Sequence, residues 1–420
     1  MPWKTLTSFL LIACLLLATA CGGRNTAENN GKVELTLWYW NRSMDDQLLK
    51  QVSKQFPNIN FKAEKIGGDF KAKLMSAFAA GSGAPDIVGL NDWISIFFPN
   101  RDQFVNLFEL GSKELEPTYL NWKWQKTITP DGQYQIALPM DSGPTALFYR
   151  ADLFAQAGLP TDPNEVSAQL KTWDDYIAAG QKMQQALNNK VHMFDNITTV
   201  FAQNLAQSDK LYFDEQDRFV GDSPHIKKAW DTAVKVHELG LSAKTPQGMP
   251  EWNAAMNNGA IASLVGAVWT KQVIQDAAKD SSGKWRVARA PGGDGNSGGS
   301  FVGITKQSKH PKEAYEVIKW LQNPENQLTA LGTTNLFPST PSIYGDPKMA
   351  TPEPFFGNQA TNKIFSESAK NVKPAYFGPK NSIADTIVRQ EINNVETQNK
   401  PPEAAWNDAI SRVNQELLLY

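Results

Sequence analysis

The chain has 420 residues, and its 41 Lys and Arg against 43 Asp and Glu give a formal net charge of −2. This length exceeds the ~250–300 residues at which single cores stop growing, so two sizeable cores are expected. The balanced charge excludes nucleic acid as a partner, because phosphate binding needs a basic excess. Thirteen Trp and 21 Phe beside four His favour apolar binding surfaces over proton-transfer chemistry.

The first residues have the features of an export signal. Lys4 precedes an apolar run at 9–17 and small residues at 18–20, which predicts a secretory signal peptide over 1–20. The apolar run is shorter than the ~18 residues that a membrane span needs. No later stretch of the sequence is long and apolar enough to span a bilayer, so any membrane contact is expected through an anchor alone.

Cys21 is the predicted anchor point. It follows small residues and precedes polar chain, which resembles the bacterial lipobox whose cysteine is lipidated. Cys14 fits the same letters, but apolar residues continue after it; the other alternative is an ordinary cleaved signal in which Cys21 is incidental. Residues 21–32 are polar and predict a flexible, lipid-anchored tether. A mature chain with Cys21 alone has no disulfide framework and, once lipidated, no thiol nucleophile.

From residue 33 onward, strand and helix periods alternate along the chain. The order strand, helix, strand, helix, strand predicts a parallel sheet with helices on its faces. These five elements are predicted at 33–40, 44–56, 59–63, 69–80 and 85–90. Further strands are predicted at 146–149 and 300–305, and further helices at 151–157, 173–187, 227–239, 311–321 and 403–419.

Several sequence blocks point to one family. They are GSGAPDIV at 81–88, LP at 138–139 with LFYRADLFAQAGL at 147–159, KTWDDY at 171–176, PGG at 291–293, GGSF at 298–301 and SKHPKEAYEVIKWL at 308–321. In this order they resemble the extracellular solute-binding family (family 1) that serves carbohydrate ABC transporters. Each block alone is weak, and together they span most of the mature chain.

The resemblance implies an α/β fold of the two-lobed, type II periplasmic-binding-protein kind, like that of maltose-binding protein. The ligand cleft would lie between lobes joined by a hinge that the chain crosses more than once. The N-terminal lobe is expected at 33–141 plus 300–341, and the C-terminal lobe at 142–299 plus 342–420. The resemblance further implies an exported monomer, anchored to the outer face of the cytoplasmic membrane or periplasmic, which delivers its ligand to the permease subunits of an ABC importer. It implies no cofactor and no metal.

The candidate ligand-binding residues lie where strands end. A sugar offers apolar C–H faces to aromatic rings and hydroxyls to carboxylates and amides, and such groups gather beyond the carboxyl ends of parallel strands. The number of aromatic residues near strand ends therefore favours a carbohydrate, and an oligosaccharide in particular. The candidates stand where a strand ends, where the chain is expected to cross between lobes, in the family's Gly-x-Trp element, or beside a glycine pair. They are Trp38, Trp40, Asn41, Asn91, Asp92, Trp93, Asp141, Trp269, Gly299 and Phe301.

Some of these candidates have a structural alternative. Trp38 and Trp40 would pack under a helix instead of touching a ligand. Asn91 would be a turn residue, and Asp92 and Trp93 would cap and staple the next helix.

Other aromatic and charged residues stay outside the candidate set. Trp122 and Trp124, which flank Lys123, are assigned to structure rather than to the cleft. An acidic sugar would need a cation in the cleft. Arg42 and Arg150 lie near expected cleft elements, but their positions in the sequence do not decide between a neutral and an acidic ligand.

Two motif matches would indicate catalysis, and neither has the required context. GNSGG at 295–299 fits Gly-x-Ser-x-Gly, and GDGNSG at 293–298 fits Gly-x-Gly-x-x-Gly, but no strand leads into either and no helix follows. The four His have no metal-ligand spacing. We therefore predict a binding protein and not an enzyme. A surface-anchored glycosidase with distant paired carboxylates stays open as an alternative, as does a two-lobed binder of a peptide or polyamine.

Overall fold

The structure, a computed structural model, describes residues 31–419. The predicted signal peptide at 1–20 and the predicted lipidation of Cys21 lie outside the described residues, as does nearly all of the tether at 21–32. Within residues 31–419, no helix is long and apolar enough to cross a membrane.

Ten strands form three sheets in the described part of the chain. They are β1 Val33–Tyr39, β2 Ile59–Lys65, β3 Ile87–Leu90, β4 Leu138–Pro139, β5 Asp141–Ser142, β6 Thr145–Arg150, β7 Ser263–Ala267, β8 Trp285–Ala288, β9 Phe301–Ile304 and β10 Phe337–Pro338.

Fifteen α-helices and seven short 3₁₀ helices accompany the strands between residues 31 and 419. The α-helices are α1 Asp46–Gln55, α2 Phe70–Ala79, α3 Asn121–Gln125, α4 Ala151–Gln156, α5 Pro163–Gln169, α6 Trp173–Ala186, α7 Ile197–Leu205, α8 Pro224–Glu238, α9 Pro250–Asn258, α10 Thr270–Ala277, α11 Pro311–Leu321, α12 Pro324–Thr334, α13 Asn362–Asn371, α14 Asn381–Gln398 and α15 Pro402–Leu417. The 3₁₀ helices are Asp92–Gln103, Leu107–Leu110, Ser112–Thr118, Lys279–Ser281, Pro341–Ile343, Pro347–Ala350 and Pro354–Phe356.

A five-stranded sheet with the order β2-β1-β3-β9-β4 forms the core of what we call the first lobe. β1 runs parallel to β2 and β3, which confirms the predicted parallel arrangement, whereas β9 pairs antiparallel with β3 and β4. β3 and β9 are buried along their whole length, so continuous apolar runs suit them. Helix α1 packs Leu48, Leu49 and Val52 into the same cluster as the buried side chains of β1.

The GSGAPDIV block contains a carboxylate that joins three segments. Asp86 Oδ2 accepts hydrogen bonds from the backbone amide and the hydroxyl of Thr36, both at 2.8 Å. Its Oδ1 accepts a third from the Ser308 hydroxyl at 2.7 Å. Asp86 therefore ties the start of β3 to β1 and to the loop before α11, which explains why an aspartate stands at this point of the block.

The antiparallel sheet β7-β6-β8 forms the core of the second lobe. Every residue of β6 and β7 is buried. Helices α6, α7, α8, α14 and α15 pack around it, and Trp230 meets Trp406 edge to face at 5.2 Å between ring centroids. Helix α6 begins at a reciprocal capping box between Thr172 and Asp175, so the KTWDDY block is a helix start.

Three segments pass between the lobes side by side. β5 pairs antiparallel with β10, the Met140 amide donates to the Ser300 carbonyl at 3.0 Å, and the Ser339 hydroxyl donates to the Met140 carbonyl at 2.9 Å. Crossings joined in this way can bend together as a hinge. The first sheet draws its strands from 33–139 and 301–304 and the second from 145–288, while the expected lobe boundaries themselves stay a prediction.

Candidate ligand-binding cleft

Three adjoining cavities lie between the two lobes, with volumes of about 480, 270 and 920 Å³. The first, which we call the hinge cavity, is lined by Asp141 and Gly299 of the crossing segments. The second, the middle cavity, shares Asp92 and Gly298 with it. The third, the distal cavity, shares Trp122 with the middle one. The three therefore form one elongated cleft.

The structure brings most of the predicted ligand-binding residues to this cleft. Trp93 lines the middle cavity beside Asp92. Trp38 and Phe301 line none of the three cavities. The other predicted residues line the hinge cavity: Trp40, Asn41, Asn91, Asp92, Asp141, Trp269 and Gly299.

The carboxyl ends of β1 and β3 supply one wall of the hinge cavity. The Trp40 ring lies over Gly89, where an added Cβ would stand 3.0 Å from it, so the flat backbone of a glycine makes room for the indole. The Asn91 side chain accepts a hydrogen bond from the Asp92 amide at 2.8 Å and begins a 3₁₀ helix. Asn91 is thus the helix cap, a role that the structural alternative gave to Asp92, and it lines the cavity as well.

Trp269 stands on the opposite wall, just beyond the carboxyl end of β7. It is 42% exposed, while Trp230 and Trp252 of the same lobe are buried. Its indole N–H donates to the Ser297 carbonyl at 3.0 Å, which holds the ring at the cavity. An exposed indole fixed in a cleft is a ready surface for the apolar face of a ligand.

Polar contacts join the two walls of the hinge cavity. The Arg42 guanidinium, which follows β1, lies 3.9 Å from the Asp276 carboxylate on α10. The Asn335 amide donates to the Gln272 side-chain oxygen at 3.3 Å. All four side chains line the cavity, so these contacts depend on how closely the lobes approach each other.

A buried ammonium lies beneath the hinge cavity. Lys123 is 1% exposed, and its Nζ lies 3.6 Å from the centroid of the Phe301 ring. Burial lowers the pKa of Lys123 to about 7, against the opposing effect of Asp141. Burial likewise raises the pKa of Asp141, whose Oδ1 accepts a hydrogen bond from the Ser300 amide at 2.7 Å. Phe301, itself 1% exposed, packs against this ammonium and offers no open face to the cleft.

Gly299 occupies a position that only glycine fits. Its φ of +92° lies in the left-handed region. An added Cβ would stand 2.7 Å from Lys123 Nζ and 2.9 Å from the Asp141 carbonyl oxygen. The backbone of Gly299 therefore approaches β5 closely, within the hinge.

Trp38 packs against the protein instead of lining the cleft, which is the structural alternative given for it. Lys73 Nζ lies 4.4 Å from its ring centroid, and the indole packs beside the cluster that α2 forms with the sheet. Trp38 and Trp40 share one face of β1, but Trp40 lies beyond the last residue of the strand. Alternation predicts the face correctly and does not tell which of the two residues reaches the cleft.

The middle cavity contains residues that sequence analysis missed. Trp122, assigned to structure, is buried and donates its indole N–H to the Ala369 carbonyl at 2.8 Å, yet it also lines this cavity. The others sit in no motif and come from segments far apart in the chain, so no local signal marks them. They are Lys71, Lys126, Tyr212, Lys373, Phe377, Asp385 and Arg389.

The distal cavity is rich in aromatic side chains. Phe98 and Trp122 come from the segment before β4, and the remaining rings come from the second half of the chain. The Tyr376 hydroxyl donates to Asp217 Oδ1 at 2.6 Å, which holds one ring in place. The aromatic lining residues are Phe98, Trp122, Phe213, Tyr376 and Phe377.

The two catalytic motif matches lack their context in the structure as well. Residues 293–299 form a loop in which Gly293, Gly298 and Gly299 have positive φ. The next element is β9 and not a helix. Over the described range 31–419, no group of three or more His, Cys, Asp or Glu side chains could hold a metal ion.

Curated relatives cover nearly the whole chain. The arabinooligosaccharide-binding protein of Bacillus subtilis (strain 168) is 24% identical to it over 447 residues, which cover 98% of this chain and 100% of that protein. The lactose-binding protein of Rhizobium radiobacter is 23% identical over 92% of this chain and 91% of that protein.

Solved structures agree with this fold. A crystal structure of an extracellular solute-binding protein of family 1 matches with a TM-score of 0.87 and 32% identity, over 91% of this chain and 99% of that one. The galacto-N-biose-/lacto-N-biose I-binding protein of Bifidobacterium longum, in complex with lacto-N-biose, matches with a TM-score of 0.75 and 21% identity over 90% and 95% of the two chains. Residues 47–356 match the family described as bacterial extracellular solute-binding proteins, and the chain belongs to that family.

Proposed function

We propose that this protein is the extracytoplasmic substrate-binding component of an ABC importer and that it captures an oligosaccharide between its two lobes. The observation that carries the proposal is the elongated cleft, in which Trp269 of the second lobe stands across the hinge cavity from Trp40 and Asn41 of the first. The curated relatives are named as binding proteins for arabinooligosaccharide and lactose.

The lining of the cleft suits the chemistry of sugars. Pyranose and furanose rings have apolar C–H faces, which aromatic rings such as that of Trp269 cover. Their hydroxyls need carboxylate and amide partners, which Asn41, Asp92 and Asp141 supply. Because three cavities adjoin, the cleft has room for several sugar rings in a row.

Capture would proceed by closure of the lobes about the hinge. The contacts of Arg42 with Asp276 and of Asn335 with Gln272 span the cleft, and a ligand that fills it would favour the closed arrangement. The closed protein would then present the sugar to the permease subunits. On this proposal the chain acts as a monomer without chemistry of its own, with lobes at 33–141 plus 300–341 and at 142–299 plus 342–420, and Cys21 holds it at the outer face of the membrane.

Titration calorimetry of the chain from Gly22 onward tests the function. The panel holds neutral and acidic oligosaccharides, amino acids, short peptides and polyamines, and the mixtures are analysed for products. One-to-one binding of an intact oligosaccharide is the expected result. Cleavage of the sugar would establish an enzyme instead, and binding confined to peptides, amino acids or polyamines would contradict the ligand class.

A further inference from the structure

The middle cavity contains more cationic than anionic side chains. Two of its charged residues neutralise each other: Arg389 Nε lies 2.9 Å from Asp385 Oδ2, and the Tyr212 hydroxyl donates to the same carboxylate at 3.2 Å. The remaining charged residues of this cavity are the ammonium groups of Lys71, Lys126 and Lys373 and the carboxylate of Asp92.

None of these three ammonium groups forms a direct ion pair among residues 31–419. None of them lies within 4.0 Å of a carboxylate there, and none donates a hydrogen bond to another described residue. Lys271, outside the middle cavity, shows the contrast: its Nζ lies 3.1 Å from Glu353 and 2.8 Å from the Asn362 side-chain oxygen. The buried ammonium of Lys271 is thus directly paired, whereas the half-buried ammonium of Lys126 is not.

Lys126 is the most enclosed of the three. It is half-buried, and its Nζ lies 5.9 Å from the Trp122 ring centroid and 5.1 Å from that of Phe377. Burial lowers the pKa of Lys126, with Asp92 opposing the shift. Taking an ammonium out of water without a directly paired anion is costly, and an anionic group of a ligand would reduce that cost.

Two of the three cations lie near half-buried aromatic rings of this cavity, on which a sugar would stack. Lys71 Nζ is 5.8 Å from the Trp93 ring centroid, and Lys126 Nζ is 5.1 Å from that of Phe377. The carboxylate of a uronic acid is attached to a carbon of the sugar ring and projects from its edge. A uronic acid stacked on either of these two rings would therefore bring its carboxylate towards the neighbouring ammonium.

The hinge cavity has no comparable excess of positive charge. Its guanidinium, that of Arg42, lies across from Asp276. Lys123 lies beneath the cavity, shielded from solvent and facing Asp141. An anionic group would therefore find its partners in the middle cavity and not beside Trp269.

We propose that the oligosaccharide carries an anionic group on one of its rings, and that the middle cavity binds this group through Lys126, with Lys71 and Lys373 beside it. The inference rests on the proposed function and narrows its substrate class to acidic oligosaccharides. A carboxylate of a uronic acid fits best, because it is attached to the ring that stacks. A sulfate or phosphate ester offers related chemistry from another source, and the test separates them.

The test is calorimetry on matched ligands. Glucuronic-acid-substituted xylotriose, trigalacturonic acid and a trimeric alginate are each compared with their carboxyl-reduced forms and with a sulfated neutral trisaccharide. We expect an acidic ligand to bind about 10- to 100-fold more tightly than its reduced form, the range for a charge-assisted hydrogen bond. Its affinity should fall as salt is added. If the sulfated sugar binds more tightly than the uronic acids, the middle cavity is still an anion site, but its ligand carries a sulfate or phosphate ester instead of a carboxylate.

Two variants locate the anion site. Lys126→Gln should remove most of the preference for the acidic ligand while leaving affinity for the reduced form within about twofold. Lys113→Gln is the matched control, since Lys113 Nζ also lies near an aromatic ring, 4.8 Å from the Phe108 centroid, but lines none of the three cavities. Thermal unfolding of both variants confirms that they fold.

The outcomes separate this inference from the function on which it rests. If neutral oligosaccharides bind as tightly as their acidic counterparts, the anion site is wrong and the proposed function stands. An acidic preference that survives in Lys126→Gln would also overturn the assignment to the middle cavity. If no saccharide binds and a peptide or polyamine does, both proposals fail.

Discussion

Lys123 and Phe301 form a buried contact in which the ammonium nitrogen lies 3.6 Å from the centroid of the aromatic ring. Among the described residues, this nitrogen has no hydrogen-bond acceptor. The contact joins α3 to β9 directly beneath Gly299 and Asp141. A cation thus lies beneath the hinge cavity, and among residues 31–419 an aromatic ring and the carboxylates of Asp141 and Asp92 stabilise it without a hydrogen bond.

We expect Lys123 to make stability rise with pH above about 7. Burial lowers its pKa from 10.5 to about 7 in the folded protein, while the unfolded chain keeps the ordinary value. Between these values the unfolded state binds more protons, so the free energy of unfolding increases with pH. The slope would reach ~1.4 kcal/mol per pH unit.

Lys123→Met checks this expectation. Urea unfolding of both proteins at about pH 7, 8 and 9 gives the difference in their pH slopes, which isolates Lys123 from the tyrosines and other groups that both proteins share. The variant should lack the rise. Parallel pH curves for the two proteins would show that the ammonium keeps its ordinary pKa on folding.

Trp269→Ala should weaken ligand binding with little effect on folding. The ring is 42% exposed, so its removal costs little core packing, whereas loss of a stacking face is worth ~1.5 kcal/mol or about tenfold in affinity. Calorimetry and thermal unfolding measure the two effects. Met249→Ala, an exposed apolar side chain that lines none of the three cavities, is the control. Equal affinities for the Trp269 variant and the unmodified protein would remove Trp269 from the binding surface.

Gly299→Ala should destabilise the protein more than Gly298→Ala does. Both glycines have positive φ, so alanine at either one costs ~1–2 kcal/mol of backbone strain. At Gly299 the new Cβ would also stand 2.9 Å from the Asp141 carbonyl oxygen, whereas at Gly298 its nearest neighbour is the Trp269 ring at 3.4 Å. We expect the overlap to add ~1–3 kcal/mol. Denaturant unfolding measures the free energy of unfolding of the two variants. Equal losses of stability would mean that the hinge backbone shifts to accommodate the new Cβ at no cost in free energy.

The Arg42–Asp276 pair should contribute modestly to closure. Both side chains are well exposed and 3.9 Å apart, and exposed ion pairs contribute ~0.2–1 kcal/mol. Asp276→Arg should therefore weaken ligand binding several-fold at low salt, and adding Arg42→Asp should restore it. Glu316→Arg, which breaks an exposed pair with Lys319 on α11, serves as control. Failure of the double variant to recover affinity would argue against a pairwise contact across the cleft.

Local patterns predicted much of the first lobe. The alternation of β1, the helix α1 that follows it and the short apolar strand β3 are all where sequence periodicity placed them. The positions after these strands, Trp40 and Asn91, then reach the cleft because parallel strands end at one edge of a sheet. In this lobe the residues of each strand or helix are sufficient to predict that element and which of its faces is buried.

The middle cavity could not be predicted in this way. Asp385 and Arg389 come from α14, a helix that sequence analysis did not identify. Its buried apolar residues Ala384, Val388, Ile392 and Val395 do follow helical spacing, so the helix could have been identified, but that spacing does not tell which cavity its polar face meets. Lys126 follows the short helix α3, and only the packing of the two lobes brings it near α14.

The position of β9 has a consequence for how the protein is made. It lies between β3 and β4 in the first sheet, yet it begins at Phe301, after the whole second sheet has been synthesised. Until then the nascent chain holds the strands of the first lobe with an open edge at β3, and such edges can pair with other chains. Pairing between segments so distant in sequence is also slow. The lobe whose strands emerge first is therefore the one whose sheet is completed last.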